Sequence, residues 1–274
     1  SILIKDLSLS NGYKINYIKY ITLNYLDQDN LRNNIQITKK NKSYSINGAS
    51  LNINQAIDNL INSKNKKKYN LFKDDFKINI KIDQTYLDKN NIIKNLKGYF
   101  IYNNNEIYES NLESSFSNNK KIKFTINTDN GKKITTLYTD VAKPFVDRYR
   151  FVKGFEEGNL DFYSTKKNNI SHSTLKIDNF KVQEVPILAK LLTLASLQGI
   201  ADLLTGEGIR FTDFEMKFSN QNKLMKIEEM YAIGPAISIL MDGYIERDEL
   251  ISLRGTLVPA TTINRTISSI PLLG

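Results

Sequence analysis

Hydrophobic and polar residues alternate with a period of two through much of this chain. Ile78, Ile80 and Ile82 are separated by Asn79 and Lys81 and flanked by Lys77 and Asp83. Ile122, Phe124 and Ile126 alternate in the same way with Lys121, Lys123, Thr125 and Asn127. Further on, Ile237, Ile239 and Met241 alternate with Ser238, Leu240 and Asp242, and Ile251 and Leu253 with Ser252 and Arg254. Successive side chains of a strand point to opposite faces, so each run predicts a strand with one apolar and one polar face. Antiparallel sheets with one wet face read in this way, whereas buried parallel strands read as continuous apolar runs. Asn103–Asn105, Asn118–Asn119, Asp129–Gly131 and Asn220–Asn222 fall between such runs and predict hairpin turns. Asn47-Gly48 reads as a further turn within the less regular stretch 13–47. The expectation is a mainly β, meander-like, antiparallel fold with more strand than helix and no parallel βαβ unit.

Three stretches carry helical spacing instead. In 55–63, Ala56, Ile57, Leu60 and Ile61 share a face; in 140–149, Val141, Phe145 and Val146 do, with Asp140 as the predicted N-cap and Pro144 in the first turn. The longest is 186–204, which opens on Pro186 and stops at Thr205 and Gly206. Leu188, Leu191, Leu192 and Ala195 form its apolar stripe. About 20 residues reach the transmembrane range, but Lys190, Gln198 and Asp202 interrupt the run. It is therefore expected to pack on the dry face of the sheet as a lid.

Composition removes most chemistry. The 274 residues include no cysteine and no tryptophan, which excludes disulfides, thiolate nucleophiles and cysteine-bound zinc. His172 is the single imidazole, in a polar strand-like context, and no nucleophile–base pair can be built around it by spacing. Glycines form no phosphate-cradling loop; Gly206 and Gly208 follow a predicted helix and read as its stop. The net charge of +9, from 38 basic and 29 acidic residues, comes largely from dispersed lysines such as Lys64, Lys66, Lys67 and Lys68. Nucleic-acid grooves favour arginine forks and stacked aromatics, so these lysines are expected to be solvated outer-face residues. No enzyme, cofactor, metal or nucleic-acid partner is expected. No repeat of fixed sequence period stands out.

From Asp178 onward the chain resembles the AsmA-like proteins, in particular the C-terminal region of their large YhdP-type members. The resemblance lies in Asp178-Asn179-Phe180 leading to the apolar stretch Val185–Leu192. It continues through Leu197–Phe211 with its glycine turn, through Ala232–Ala236, and through Asp242-Gly243. Leu253–Ala260, Ile263-Asn264 and Ile270–Gly274 complete it. Thr261 departs from the pattern, since relatives tend to carry an aromatic residue after Pro259-Ala260. The resemblance divides the chain into 1–177, a β-rich segment of repeating groove, and 178–274, the AsmA-like C-terminal region. It implies a fragment of a longer protein that continues beyond Gly274. It further implies a curled, gutter-like antiparallel sheet, anchored in the bacterial inner membrane by a segment elsewhere and spanning the periplasm. Phospholipid acyl chains would be carried along its apolar inside, in support of outer-membrane integrity; protein partners are not indicated.

The residues admit two outcomes for the apolar face: a sealed core in a structural or protein-binding envelope module, or an open lipid groove. A 20-residue helix covers about 30 Å, less than ten or more strands spaced at ~4.8 Å, which favours the groove. Its expected lining is Ile78, Ile80, Ile82, Ile122, Phe124, Ile126, Phe211, Ile237, Ile239 and Met241.

Overall fold

A computed structural model describes residues 1–9, 11, 15–61, 75–103, 106–148, 154–183, 208–235, 237–246 and 250–259. The fold is mainly β. Fifteen strands belong to one sheet that is not closed into a barrel and whose strand order follows the chain from β1 to β15. The chain divides into two compact units, Ser1–Lys133 and Ile134–Gly274. The resemblance-based boundary at 177/178 instead falls inside a single strand, Ile170–Val182.

The first unit contains β1 (Ile2–Leu9), β2 (Ile15–Leu26), β3 (Arg32–Lys40), β4 (Ser43–Asn52) and α1 (Asn54–Ile61). It continues with β5 (Phe76–Tyr86), β6 (Ile92–Asn103), β7 (Glu106–Ser115) and β8 (Lys121–Asp129). Asn30, Asn41, Asn119 and Asn130 take positive φ at or beside the turns, as asparagine does at low cost in αL conformations. Asn130 and Gly131 together close the hairpin after β8.

Two expectations need correction here. β4 and β5 pair in parallel, Ile46 opposite Ile80, across a connection that contains α1. This is the one parallel pair among the registers described. Period-2 alternation records which face a residue occupies and carries no information on strand direction. Two parallel neighbours need a connection of about a dozen residues or more, and Ile53–Asp75 supplies it. Asn47-Gly48 is not a turn: both lie within β4, opposite Gln36 and Ile35 of β3. A Cβ on Gly48 would meet the Asn34 carbonyl oxygen at 2.2 Å, so the glycine serves close strand approach at the neighbouring bulge.

The ends of β2, β3 and β4 are tied by a polar node that the sequence did not reveal. Asp27 Oδ1 accepts from the backbone N–H of Asp29 and Leu31, and Oδ2 from the amides of Asn33 and Asn52. Asn33, 1% exposed, accepts from the Asn52 N–H through Oδ1. Burial pushes the Asp27 carboxyl up, but these hydrogen bonds together hold it below its ordinary value.

β9 (Lys132–Thr139) lies across the boundary between the units. The second unit continues with α2 (Lys143–Val146), β10 (Glu156–Lys167), β11 (Ile170–Val182), β12 (Ile209–Gln221), β13 (Leu224–Ile233), β14 (Ile237–Glu246) and β15 (Leu250–Pro259). From β10 to β15 every pair is antiparallel. The core gathers Phe155, Leu160, Ile177, Phe180, Ile209, Phe211 and Ile237, with Ala142 and Val146 of the α2 region packed against them. Phe180 stacks on Phe155 at 5.3 Å and on Phe211 at 5.4 Å between ring centroids. α2 is shorter than the predicted 140–149 helix, and its N-cap is Ala142 without a side-chain cap bond. Asp140 stands two residues too early to cap it and instead accepts from the Tyr138 hydroxyl at 2.5 Å. The predicted helix at 186–204, with Leu188, Leu191, Leu192 and Ala195, lies outside the described residues.

A backbone device recurs at corresponding points of three strands. Ile4-Lys5-Asp6-Leu7, Ile93-Lys94-Asn95-Leu96 and Ile177-Asp178-Asn179-Phe180 each place a positive φ at the third residue, 51°, 55° and 53°. The left-handed residue shifts the inward phase of the strand by one. Ile93 and Leu96, like Ile177 and Phe180, are therefore both buried although three apart. The three sites recur at unequal intervals along the chain, so they leave no fixed sequence period.

Candidate functional site: the apolar sheet faces

Directly paired residues of neighbouring strands share a face, so the registers fix which side chains line up across the sheet. In the first unit, Ile4, Ile21, Ile37, Ile46, Ile80, Gly98, Leu112 and Phe124 form one transverse row through β1 to β8. A second row runs Ile2, Leu23, Ile35, Gly48, Ile82 and Leu96, and a third runs Tyr44, Ile78, Phe100, Ser110 and Ile126. Ile122 lies opposite Ser114, two residues along β8 from Phe124 and hence on the same face.

The complementary row on the other face is Lys5, Tyr20, Thr38, Ser45, Asn79, Tyr99, Asn111 and Thr125. Beside it Thr22, Gln36, Asn47, Lys81, Lys97, Glu113 and Lys123 align. Apart from Ser110, Ser114 and the Tyr44 hydroxyl on the first face, apolar and polar residues separate by face across these rows. Lys97 pairs with Glu113 at 2.9 Å, and Lys77 lies 4.3 Å from the Tyr99 ring centroid. The lysines of this stretch thus clothe an outer wall.

Burial grades along the apolar face. Ile82 is fully buried and Ile35, Leu96, Ile122 and Ile126 are nearly so. Ile21, Ile37, Ile46, Ile78, Ile80, Leu112 and Phe124 are only half-buried, and Ile4 is 48% exposed. The structure therefore brings the six first-unit candidates onto one face, with Ile78, Ile80 and Phe124 open to solvent in part.

In the second unit the rows are Leu160, Ile177, Phe214, Ala232, Ile239, Leu257 and, beside it, Phe162, Leu175, Met216, Met230, Met241, Gly255. Phe211 and Ile237, 3% and 0% exposed, sit inside the hydrophobic cluster, with Ile239 packed against it and Met241 half-buried. The four second-unit candidates thus range from sealed to half-open.

The polar face of this unit holds a charged group that sequence reasoning placed nowhere. Glu215 is 9% exposed and is held by Lys176 Nζ at 3.0 Å, Lys217 Nζ at 3.3 Å and the Tyr231 hydroxyl at 3.1 Å. The Lys176 hydrogen bond does most to keep the Glu215 carboxyl below its ordinary value, against burial, which pushes it up. Lys176 and Lys217 are raised in return, chiefly by their hydrogen bonds to Glu215. Its only sequence signal is the period-2 phase of β12, which puts Glu215 opposite Lys176 and Tyr231.

The remaining titratable candidates are engaged at the surface. His172 Nδ1 lies 3.8 Å from Glu228, with both side chains well exposed. Asp242 accepts from Arg254 Nε at 2.7 Å in an open depression lined by Glu228, Glu229 and Leu240. Among the described residues no cluster of three His, Cys, Asp or Glu could hold a metal ion, and no helix is long and apolar enough to cross a membrane. Comparison with protein-family models, with curated proteins and with solved structures gives no match to this chain.

Proposed function

We propose that this chain is a lipid-holding or lipid-conducting segment of an AsmA-like, periplasm-spanning envelope protein, anchored in the inner membrane by another part of the molecule. The apolar face of the first unit would take phospholipid acyl chains, while its lysine-rich outer face stays wet. The observation that carries the reading is the unbroken row from Ile4 to Phe124, eight strands long and half-buried at most of its positions. A contiguous apolar surface beyond a few hundred Å² on a soluble domain marks a binding site for something apolar. Acyl chains suit it because the rows are mostly methyl groups and rings without hydrogen-bonding direction, interrupted by the hydroxyls of Tyr44 and Ser110. No bond-making step is assigned to any residue.

The second unit favours a different local role. Its Phe155, Phe180 and Phe211 stack in a closed cluster, as in a structural module with a sealed core. The two readings combine if the first unit holds lipid and the second gives rigidity.

Purification without detergent followed by mass spectrometry is the direct test. Phospholipid should co-purify with the chain above the level of a soluble control handled in parallel. Its absence would leave the sealed, structural reading for the whole molecule.

A further inference from the structure

We propose that Ser110 and Thr128 donate hydrogen bonds to the ester carbonyls of a bound lipid, so that the apolar face of the first unit selects acyl esters over chains without a carbonyl. This rests on the lipid reading above and adds to it a chemical group that the ligand must carry. Ser110 is 2% exposed, and its Oγ is buried without a hydrogen-bond partner among the described residues. Thr128 Oγ1 is in the same state. Buried hydroxyls are nearly always paired, and one left unpaired costs stability. Two of them in an otherwise apolar surface call for a ligand group that pairs with both.

The registers place the two hydroxyls close together. Ser110 lies opposite Phe100 of β6 on one side and opposite Ile126 of β8 on the other. Thr128 stands two residues beyond Ile126 in β8, hence on the same face and diagonal to Ser110. Diagonal neighbours of this kind are about 7–8 Å apart. Ser110 is a small residue among large ones, and no lysine or arginine stands in the apolar rows to receive an anionic headgroup. A charge buried there would be unpaired. A hydroxyl proton turns to suit an acceptor, and an ester carbonyl is an uncharged acceptor at the head of an acyl chain. A diacyl lipid carries two of them on neighbouring carbons, to match two hydroxyls. Both oxygens are covered, so the carbonyls reach them by displacing half-buried neighbours such as Phe100 and Leu112. Thr85 supplies the control. Its Oγ1 is equally unpartnered, but it is 0% exposed and lies between Leu51 and Ile93, at the other end of β5 from Ile78.

The test is a competition between two lipids that differ only in the carbonyls. The full chain, stripped of lipid, is offered vesicles holding equal amounts of dioleoyl phosphatidylglycerol and its di-O-alkyl ether analogue of the same chain length. Lipid retained after gel filtration is then counted by mass spectrometry. Two neutral hydrogen bonds should enrich the ester over the ether by about tenfold. Ser110→Ala combined with Thr128→Val should bring the ratio to one, whereas Thr85→Val should leave it unchanged. Urea unfolding of the lipid-free double variant should show no loss of midpoint, because no hydrogen bond within the chain is removed. Retention of both lipids in equal amounts overturns this proposal and leaves the lipid reading standing. So does an ester preference that survives in the double variant, or a lowered midpoint, since the hydroxyls would then serve the fold. Retention of neither lipid overturns the lipid reading and this proposal with it.

Discussion

At the scale of single residues, small and charged side chains mark the positions that the sheet cannot give up. Gly98 lies between Ile80 and Leu112 in the apolar row with φ of 141°, and a Cβ there would meet the Asn111 carbonyl oxygen at 1.9 Å. Gly98→Val combines a disfavoured backbone with a clash against main chain. It should destabilise the first unit by roughly 3 kcal/mol or more, well beyond the effect of Ile80→Val at about 0.5–1.5 kcal/mol, as urea unfolding would record. Equal effects would show that the strand can relax away from Gly98. Glu215 gives a prediction in pH. Its carboxyl is depressed in the folded chain, so the stability it contributes is present above the unfolded value of about 4.3 and is lost as pH falls through the folded value. Glu215→Gln should flatten the loss of stability on acidification below about pH 4.3 while lowering stability at neutral pH. An unchanged acid slope would mean that Lys176 and Lys217 do not hold Glu215 in solution as they do here.

At the scale of elements, the left-handed asparagines decide where a strand changes phase. Asn179 at φ 53° lets Ile177 and Phe180 both reach the cluster that holds Phe211. A β-branched residue resists this conformation by about 1–2 kcal/mol, whereas glycine adopts it freely. Asn179→Val should therefore cost about 1–2 kcal/mol in thermal or urea unfolding and Asn179→Gly a few tenths; the reverse order would refute the phase-shift account. These positions also show how far the elements could be read in advance. The faces of β5, β8 and β14 follow from alternation alone, because burial of one side imposes period two on the sequence. The phase shifts do not, since Ile57-Asp58-Asn59-Leu60 carries the same pattern as Ile177–Phe180 and lies in helix α1. Four residues leave that choice to tertiary context. The parallel pairing of β4 with β5 was likewise hidden, because direction depends on the connection and leaves no trace in either strand. The six first-unit groove candidates were legible for the reason the strands were. Glu215 was not, because its neighbours come from other strands and only the register brings them together.

At the scale of the whole molecule, the positive charge is concentrated in the unit whose apolar row crosses eight strands. Ser1–Lys133 has 22 basic and 12 acidic residues, against 16 and 17 in Ile134–Gly274. In the first unit the apolar row is half-buried from Ile21 to Phe124; the second unit has a half-buried row from Phe162 to Met241 but closes Phe155, Phe180 and Phe211 into a cluster. An amphiphile with an anionic headgroup is complementary to both properties at once: its chains to the isoleucine rows, its charge to the net positive field of the unit, since the lysines between those rows lie on the opposite face. The lipid reading therefore predicts uneven labelling. A phospholipid with a photoactivatable acyl chain, irradiated with the protein and mapped by peptide mass spectrometry, should mark Ile37, Ile46, Ile80 and Leu112 far more than Phe155, Ile177 or Ile237. An anionic headgroup should label more than a zwitterionic one, and the difference should shrink with salt as the lysine field is screened. Ile80→Lys should suppress labelling of the row, because a buried charge opposes acyl chains there, whereas Lys81→Glu on the opposite face should leave the pattern in place. Labelling spread evenly over both units, or unchanged by Ile80→Lys, would mean that the rows pack only against protein and that the molecule serves as a scaffold.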